Sequence, residues 1–173
     1  MENEAQGGPA ASSFVYTRTV NAPRQLVYET YTQAAHVAQW WGPKNMPITV
    51  HRFEASPGGT FLYSMAIPDG SAMFGKVVYR ELDPHHRLSF VVSFTDPEGN
   101  PIRHPMSATW PLEVLSTLTL TEEDGKTTIH MVNEPINAAA EDHATFMGGF
   151  GGMTIGTDGM MENYEAYLES IQA

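Results

Sequence analysis

The first part of the chain predicts one strand followed by two short helices. Residues 14–20 alternate and are rich in β-branched and aromatic side chains, which is typical of a strand. Asn21-Ala22-Pro23 then marks a helix start, with Asn able to accept free N–H groups and Pro at the first helical position. Thr32 is placed to cap a second helix, which Gly42-Pro43 ends.

A succession of strands separated by turn residues follows. The alternation predicts strands over residues 48–54, 61–67, 73–82, 88–94, 117–121 and 127–133. Asp69-Gly70 and Asp124-Gly125 are hairpin signals, and the Pro- and Gly-rich residues 96–105 predict a long loop. Hairpins join neighbouring strands that run in opposite directions, so the sheet should be antiparallel.

The C-terminal part has helical periodicity from about Glu141 to Ile171. Six glycines lie between Gly148 and Gly159, and each costs about 0.5–1 kcal/mol relative to Ala inside a helix. Two alternatives stay open: the helix begins near Met153 after a loop, or packing offsets the cost. Close approach to a strand or a ligand is the usual reason for glycine at such positions.

Composition excludes several classes of function. Nine Lys and Arg stand against twenty Asp and Glu, a net charge of -11, which excludes nucleic acid and anionic membrane surfaces as partners. There is no cysteine, so disulfides, thiolate nucleophiles and Fe–S clusters are excluded. Only 17% of the residues are charged, while ten Met and eighteen aromatic residues (three Trp, seven Tyr, eight Phe) indicate a large apolar interior.

The chain is expected to form one domain over residues 14–173. Residues 1–13 are small and polar, lack the features of a signal peptide, and predict a flexible tail. No apolar run approaches the length of a membrane span, so we expect a cytoplasmic protein.

Five segments carry a resemblance to a known family. They are FVYTRTVNAPRQLVYETYT (14–32), VAQWWGP (37–43), FEASPGGTF (53–61), GKVVYRELDPHHRLSF (75–90) and GMMENYEAYLES (159–170). In these segments the chain resembles the START-like, helix-grip (SRPBCC) superfamily, and within it the group named after the C-terminal domain of the activator of Hsp90 ATPase. The resemblance covers almost the whole chain after residue 13.

The resemblance implies an α+β fold, in which an antiparallel sheet curls around a long C-terminal helix and leaves a cavity between them. Members commonly hold apolar or aromatic small molecules there, and the family brings no universal catalytic motif. Two segments depart from the family pattern: residues 146–156 are richer in Gly than expected, and residues 101–111 look individual. Both lie where such folds open or close the cavity.

Met and aromatic side chains are the candidates for the cavity wall, because Met is common at adaptable apolar binding surfaces. Ordinary core packing is the alternative for each, and of the adjacent Trp40 and Trp41 at least one should pack in the core. The full set of candidates is Trp40, Trp41, Tyr63, Met65, Phe74, Phe90, Met131, Met147, Phe150, Met153, Met161 and Tyr164.

Four titratable residues are candidates for polar groups in the cavity: His51, Glu54, Glu81 and His130. The strand alternation leaves His130 open, because it faces solvent if Ile129 and Met131 face the cavity, and faces the cavity in the reverse phase. No HxH, HExxH or HxxxH pair is present, so neither a metal site nor a cofactor is expected.

The favoured function is binding of an apolar or aromatic small molecule. A cavity-based enzyme, such as a hydrolase, cyclase or dehydratase acting on a hydrophobic substrate, is the alternative. It needs a buried acid/base group in the cavity, such as His51, His130, Glu54, Glu81 or Tyr63. A chaperone-associated role is the weakest of the three, since it rests on the family name. A homodimer through exposed Trp and Phe side chains is also expected.

Overall fold

The computed structural model describes residues 12–173. The predicted tail therefore lies outside the described residues except for Ser12 and Ser13. The elements in chain order are β1 (Phe14–Val20), α1 (Arg24–Thr32), α2 (Ala34–Trp40), β2 (Ile48–Phe53), β3 (Thr60–Ala66), β4 (Ala72–Asp83), β5 (Arg87–Thr95), β6 (Val114–Glu123), β7 (Lys126–Pro135), α3 (Ala140–Gly148) and α4 (Phe150–Gln172).

The strands form one antiparallel sheet in the order β1-β7-β6-β5-β4-β3-β2. The meander from β2 to β7 follows from the predicted hairpins; at the last of them Asp124 and Gly125 both adopt positive φ angles, 55° and 76°. Register shifts at Val50/Arg52 and Tyr79/Glu81 mark irregularities of the kind that bend a strand. The result is the predicted curved sheet with a long C-terminal helix against its inner face, a helix-grip α+β fold.

The core lies between that inner face and the helices. Alternate strand residues such as Leu118 and Ile129 are buried because α4 covers them with Met161, Tyr164 and Leu168. Helices α1 and α2 close the same core with Val27, Val37 and Trp40. The opposite face of the sheet carries more exposed side chains, as strand alternation predicts.

Both predicted helix caps were wrong. Helix α1 begins at Arg24 with Pro23 as its N-cap rather than its first helical residue, and the Arg24 N–H donates to Glu122 Oε1 on β6 at 2.9 Å. A tertiary contact therefore does what Asn21 was expected to do. Thr32 ends α1 instead of capping α2, because its hydroxyl donates to the Tyr28 carbonyl within α1, and Gln33 is the N-cap of α2.

The glycine-rich C-terminal segment is helical but broken at Gly149. A Cβ at Gly149 would lie 3.1 Å from the Trp110 ring, so at this position close approach does explain the glycine. At Gly151, Gly152 and Gly156 a Cβ would meet no atom within 4 Å, so close packing does not explain them.

An ion-pair network holds α4 to β1 at the edge of the sheet. Arg18 makes two hydrogen bonds to the Glu165 carboxylate, at 2.9 and 3.1 Å, and a third to the Tyr16 hydroxyl at 2.8 Å. The Tyr16 hydroxyl in turn donates to Asp158 at 2.5 Å. Pairing with these acceptors raises the pKa of Arg18, so the cation persists at all ordinary pH values.

Candidate functional site

A cavity of about 260 Å³ lies between the sheet and α4. A cavity of about 150 Å³ is enough to hold benzene in an engineered protein, so this one has room for a larger aromatic molecule. Its lining residues are Tyr31, Trp41, Tyr63, Phe90, Val92, Ser93, Phe94, Trp110, Pro111, Val114, Ser116, Leu118, Met131, Asn133, Phe146, Met153, Thr157 and Met160.

Aromatic rings form much of the wall. The Trp41 ring stands edge-on to the rings of Tyr63 and Phe90, with centroids 6.2 and 6.1 Å apart. On the other side Trp110 packs on Phe146 with centroids 5.4 Å apart. Such edge and tilted contacts fix the orientation of each ring, so the wall presents a defined shape.

Two rows of the sheet build the floor of the cavity. Tyr63, Gly75 and Phe94 are opposite one another on β3, β4 and β5, and a Cβ at Gly75 would lie 2.5 Å from the Tyr63 ring. Glycine is unfavourable inside a strand, but here it makes room for the large ring beside it. A second pair of opposite residues that line the cavity is polar: Ser116 on β6 and Asn133 on β7.

The long loop between β5 and β6 supplies Trp110 and is tied to α3. Arg103 donates to the Trp110 carbonyl at 2.9 Å and forms an ion pair with Asp142 at 3.2 Å, and Thr109 bonds Thr145 at 2.6 Å. Asp142 is buried, and Arg103 is its ion-pair partner. Both segments that departed from the family pattern in the sequence therefore meet at the cavity.

The residues that line the cavity carry no formal charge. Among its lining residues, all within the described part of the chain, there is no Asp, Glu, Lys, Arg or His. Burial raises the pKa of Tyr31 well above its usual value, and also raises that of Tyr63. Both phenols therefore stay protonated and uncharged at neutral pH.

Five of the twelve aromatic and Met candidates lie at the cavity: Trp41, Tyr63, Phe90, Met131 and Met153. Trp40, Met65, Met161 and Tyr164 are buried in the core instead, because they lie on helix or strand faces that other side chains cover completely.

The other three apolar candidates also lie away from the cavity. Phe74 is on the outer face of β4, where it stacks on His51 with centroids 5.4 Å apart. Met147 is 42% exposed on α3. Phe150 packs between Phe14 and Phe146. The strand alternation turns Phe74 to the outer face, and the helix break at Gly149 sets the directions of Met147 and Phe150. The type of residue alone does not show which way it points.

None of the four titratable candidates reaches the cavity. His51 is exposed and bonds Ser64 at 2.8 Å, Glu54 accepts from Ser56 at 3.2 Å, and Glu81 pairs with Arg87 at 2.8 Å. The structure decides which face of β7 lies inward. Ile129 and Met131 are buried, so His130 faces outward and bonds Thr17 at 3.0 Å.

Sequence reasoning did not select the polar residues of the wall. Ser116 and Asn133 occupy the inward phase of β6 and β7, where the neighbouring inward residues Leu118 and Met131 are apolar. The sequence signal that could have found them is a polar residue near a strand end, at a position where the alternation otherwise places apolar residues. Trp110 and Pro111 lie in residues 101–111, which depart from the family pattern, and Phe146 and Met160 lie in the C-terminal segment of helical periodicity.

Two further observations concern metals and membranes. In residues 12–173, no three His, Asp or Glu side chains lie close enough together to hold a metal ion. No helix of that same part of the chain is both long and apolar enough to cross a membrane.

A curved sheet that grips a C-terminal helix around an apolar cavity defines the helix-grip class of α+β proteins. The family model described as "Activator of Hsp90 ATPase homolog 1-like protein" matches residues 21–172. The chain belongs to this family, as the sequence resemblance implied. No curated protein is similar enough to count as a match.

Solved structures share the fold over nearly the full chain. Protein Ms6760 from Mycobacterium smegmatis is 25% identical, with a TM-score of 0.75 and 96% of each chain covered. A protein from Arthrobacter aurescens, solved by NMR, is 23% identical, with a TM-score of 0.78 over 92% of this chain and 87% of that one. DynU16, a protein in the dynemicin biosynthetic locus, is 22% identical, with a TM-score of 0.56 over 92% of this chain and 48% of DynU16.

Proposed function

We propose that this protein binds a neutral aromatic small molecule in the cavity between the sheet and α4. The observation that carries the proposal is the wall itself: seven aromatic and three Met side chains line a cavity in which no lining residue is charged. Aromatic and Met side chains give large apolar contact areas to flat ligands. Membership of a family with this fold supports the same reading.

The ligand should be neutral rather than anionic. Transfer of a carboxylate or sulfonate from water into an apolar cavity is costly unless a cation or several hydrogen bonds compensate. Arg103, which bonds the carbonyl of the cavity-lining Trp110, pairs with Asp142 and does not line the cavity itself. The overall charge of -11 adds repulsion toward anions.

A matched pair of fluorescent probes tests the proposal. N-phenyl-1-naphthylamine is neutral, whereas 8-anilino-1-naphthalenesulfonate has the same ring skeleton with an added sulfonate. Saturable binding of the neutral probe, at least about tenfold tighter than the sulfonate, is expected from the cost of burying the charge. Equal affinities, or no saturable binding of the neutral probe, would refute the proposal.

Two variants on one strand locate the binding site. Val114 lines the cavity, whereas its neighbour Leu115 is on the opposite face of β6. Val114→Phe should fill part of the cavity and weaken the neutral probe, while Leu115→Phe should leave its affinity unchanged. Equal effects of the two variants would place the probe elsewhere on the protein.

Of the acid/base groups that the alternative enzyme needs, His51, Glu54, Glu81 and His130 lie outside the cavity, and only Tyr63 lines it. Burial raises the pKa of Tyr63, so its phenol stays protonated at neutral pH and cannot act as a base there. The homodimer stays a prediction, but the exposed side chains that would form its interface in the described part of the chain are not the Trp and Phe expected from the sequence. The large apolar side chains that are exposed among residues 12–173 are aliphatic or Met, such as Met106 and Ile155, rather than Trp or Phe. The cytoplasmic location and the chaperone-associated role likewise stay predictions.

A further inference from the structure

Two polar atoms on the cavity wall are buried without a hydrogen-bond partner. They are the hydroxyl of Tyr31, on α1, and the side-chain carbonyl oxygen of Asn133, on β7. Tyr31 is only 3% exposed. An unpaired buried polar group costs about 1–3 kcal/mol, so such groups are uncommon in folded proteins and call for an explanation.

Two neighbours of Tyr31 in the core find partners within the protein, although the Ser13 and Thr95 hydroxyls, which do not line the cavity, are also buried without one. Tyr164, whose ring is 5.4 Å from that of Tyr31, bonds the Thr30 hydroxyl at 2.7 Å. The Trp40 indole N–H donates to the Thr30 carbonyl at 3.0 Å. The two unpaired atoms differ from these because they belong to residues that line the cavity, where a bound molecule can supply a partner.

The chemistry of the two atoms specifies what that partner must be. The Tyr31 phenol stays protonated and offers an O–H donor, so it requires an acceptor on the ligand. The Asn133 carbonyl oxygen only accepts, so it requires a donor. Ser116 is paired directly opposite Asn133 on β6 and adds a hydroxyl to the wall beside it. A hydroxyl group is both donor and acceptor, and it is uncharged.

We propose that the ligand is a hydroxylated aromatic compound, whose oxygen accepts a hydrogen bond from Tyr31 and whose O–H, on the same or a second hydroxyl, donates to Asn133. This inference rests on the proposed function and narrows it from neutral aromatic molecules in general to phenol-type compounds. The rings supply apolar contact area, and the two polar atoms select and orient the hydroxylated ligand.

Three naphthalenes separate the two hydrogen bonds. 2-Naphthol carries both a donor and an acceptor, 2-methoxynaphthalene carries the acceptor alone, and naphthalene carries neither. Wild-type protein should bind 2-naphthol most tightly, about three- to tenfold tighter than 2-methoxynaphthalene, as expected for one additional hydrogen bond. This order is measured by titration calorimetry on the full chain and needs no variant.

Variants then assign each bond. Tyr31→Phe should weaken the binding of 2-naphthol and 2-methoxynaphthalene about three- to tenfold and leave the affinity for naphthalene unchanged. Asn133→Leu should weaken the binding of 2-naphthol alone. Tyr164→Phe is the matched control, since it removes a buried tyrosine hydroxyl that does not line the cavity, and all three affinities should then stay the same.

The outcomes distinguish the inference from the function on which it rests. If naphthalene binds but the hydroxyl gives no advantage, or Tyr31→Phe binds 2-naphthol like the wild type, the inference fails and the proposed function stands. If none of the three compounds binds the wild-type protein, the inference and the proposed function fail together.

Discussion

The ring of Tyr63 lies over Gly75 on the neighbouring strand, so closely that a Cβ at Gly75 would be 2.5 Å from both Cζ and Oη of the tyrosine. Phe94 is opposite Gly75 on its other side. One glycine therefore sits between two aromatic residues that both line the cavity. The absence of a single methyl group allows the wall to take its shape.

Gly75→Ala should disturb this arrangement. The new methyl group would displace the Tyr63 ring, and overpacking of this kind costs about 1–3 kcal/mol. Urea unfolding should show the loss of stability, and the neutral fluorescent probe should bind more weakly because the ring moves relative to the cavity. Unchanged stability and affinity would mean that the Tyr63 ring adjusts at no cost.

Gly156→Ala should have the opposite effect on stability. Gly156 lies inside α4, is exposed, and has open space where a Cβ would be. Alanine should therefore raise the free energy of unfolding by about 0.5–1 kcal/mol, because it restricts the unfolded chain and favours the helix. Urea midpoints of the two glycine variants, measured side by side, check both predictions. A loss of stability in Gly156→Ala would show that the glycine has a structural requirement.

Tyr31→Phe should stabilise the ligand-free protein by about 1–3 kcal/mol, because it removes a buried hydroxyl that has no partner. Tyr164→Phe should cost about 1 kcal/mol. The Thr30 hydroxyl donates to the Val27 carbonyl, so it is the acceptor for Tyr164 and loses that bond. Thermal unfolding of both variants measures the contrast. Equal losses in the two would indicate that Tyr31 has a partner within the protein.

Arg103→Met should loosen the loop that carries Trp110. The substitution removes the ion pair to the buried Asp142 and the hydrogen bond to the Trp110 carbonyl. Because Arg103 itself is partly exposed, we expect a loss of about 1–2 kcal/mol, with faster hydrogen exchange over residues 101–111. Arg80→Met is the control, as Arg80 is exposed and makes none of the ion pairs found in residues 12–173. Equal rates of hydrogen exchange in both variants would contradict the prediction that Arg103 holds the loop in place.

Stability should fall above about pH 10, where tyrosine deprotonates in the unfolded chain. Burial raises the pKa of Tyr31, Tyr63, Tyr79 and Tyr164 in the folded protein, so above that pH the unfolded state has lost protons that the folded state retains. Each such group then removes about 1.4 kcal/mol per pH unit until its folded-state pKa is reached. Urea unfolding between pH 8 and about 11 measures the slope, and Tyr79→Phe should make it shallower. A flat profile would contradict the raised pKa values.

Local signals in the sequence were enough for most of the architecture. Asp124-Gly125 specifies its hairpin because the turn needs positive φ angles, and alternation over residues 14–20 gives a strand with the observed bounds. The predicted cap at Asn21 failed because Glu122, distant in sequence, supplies the acceptor for Arg24, and the cap at Thr32 failed because its hydroxyl bonds Tyr28 within α1. The family followed from several short segments taken together.

The sequence by itself determined the order of the elements, the antiparallel meander and the apolar character of the interior, since turn chemistry and residue periodicity act over a few neighbouring positions. Only the tertiary structure decided which apolar residues surround open space and which fill the core. Met153 lines the cavity while Met161, on the same helix, is fully buried. Tyr31 and Tyr164 differ in the same way, one unpaired at the cavity and the other bonded to Thr30. That distinction depends on how distant segments pack, because a cavity is space that several elements together leave unfilled.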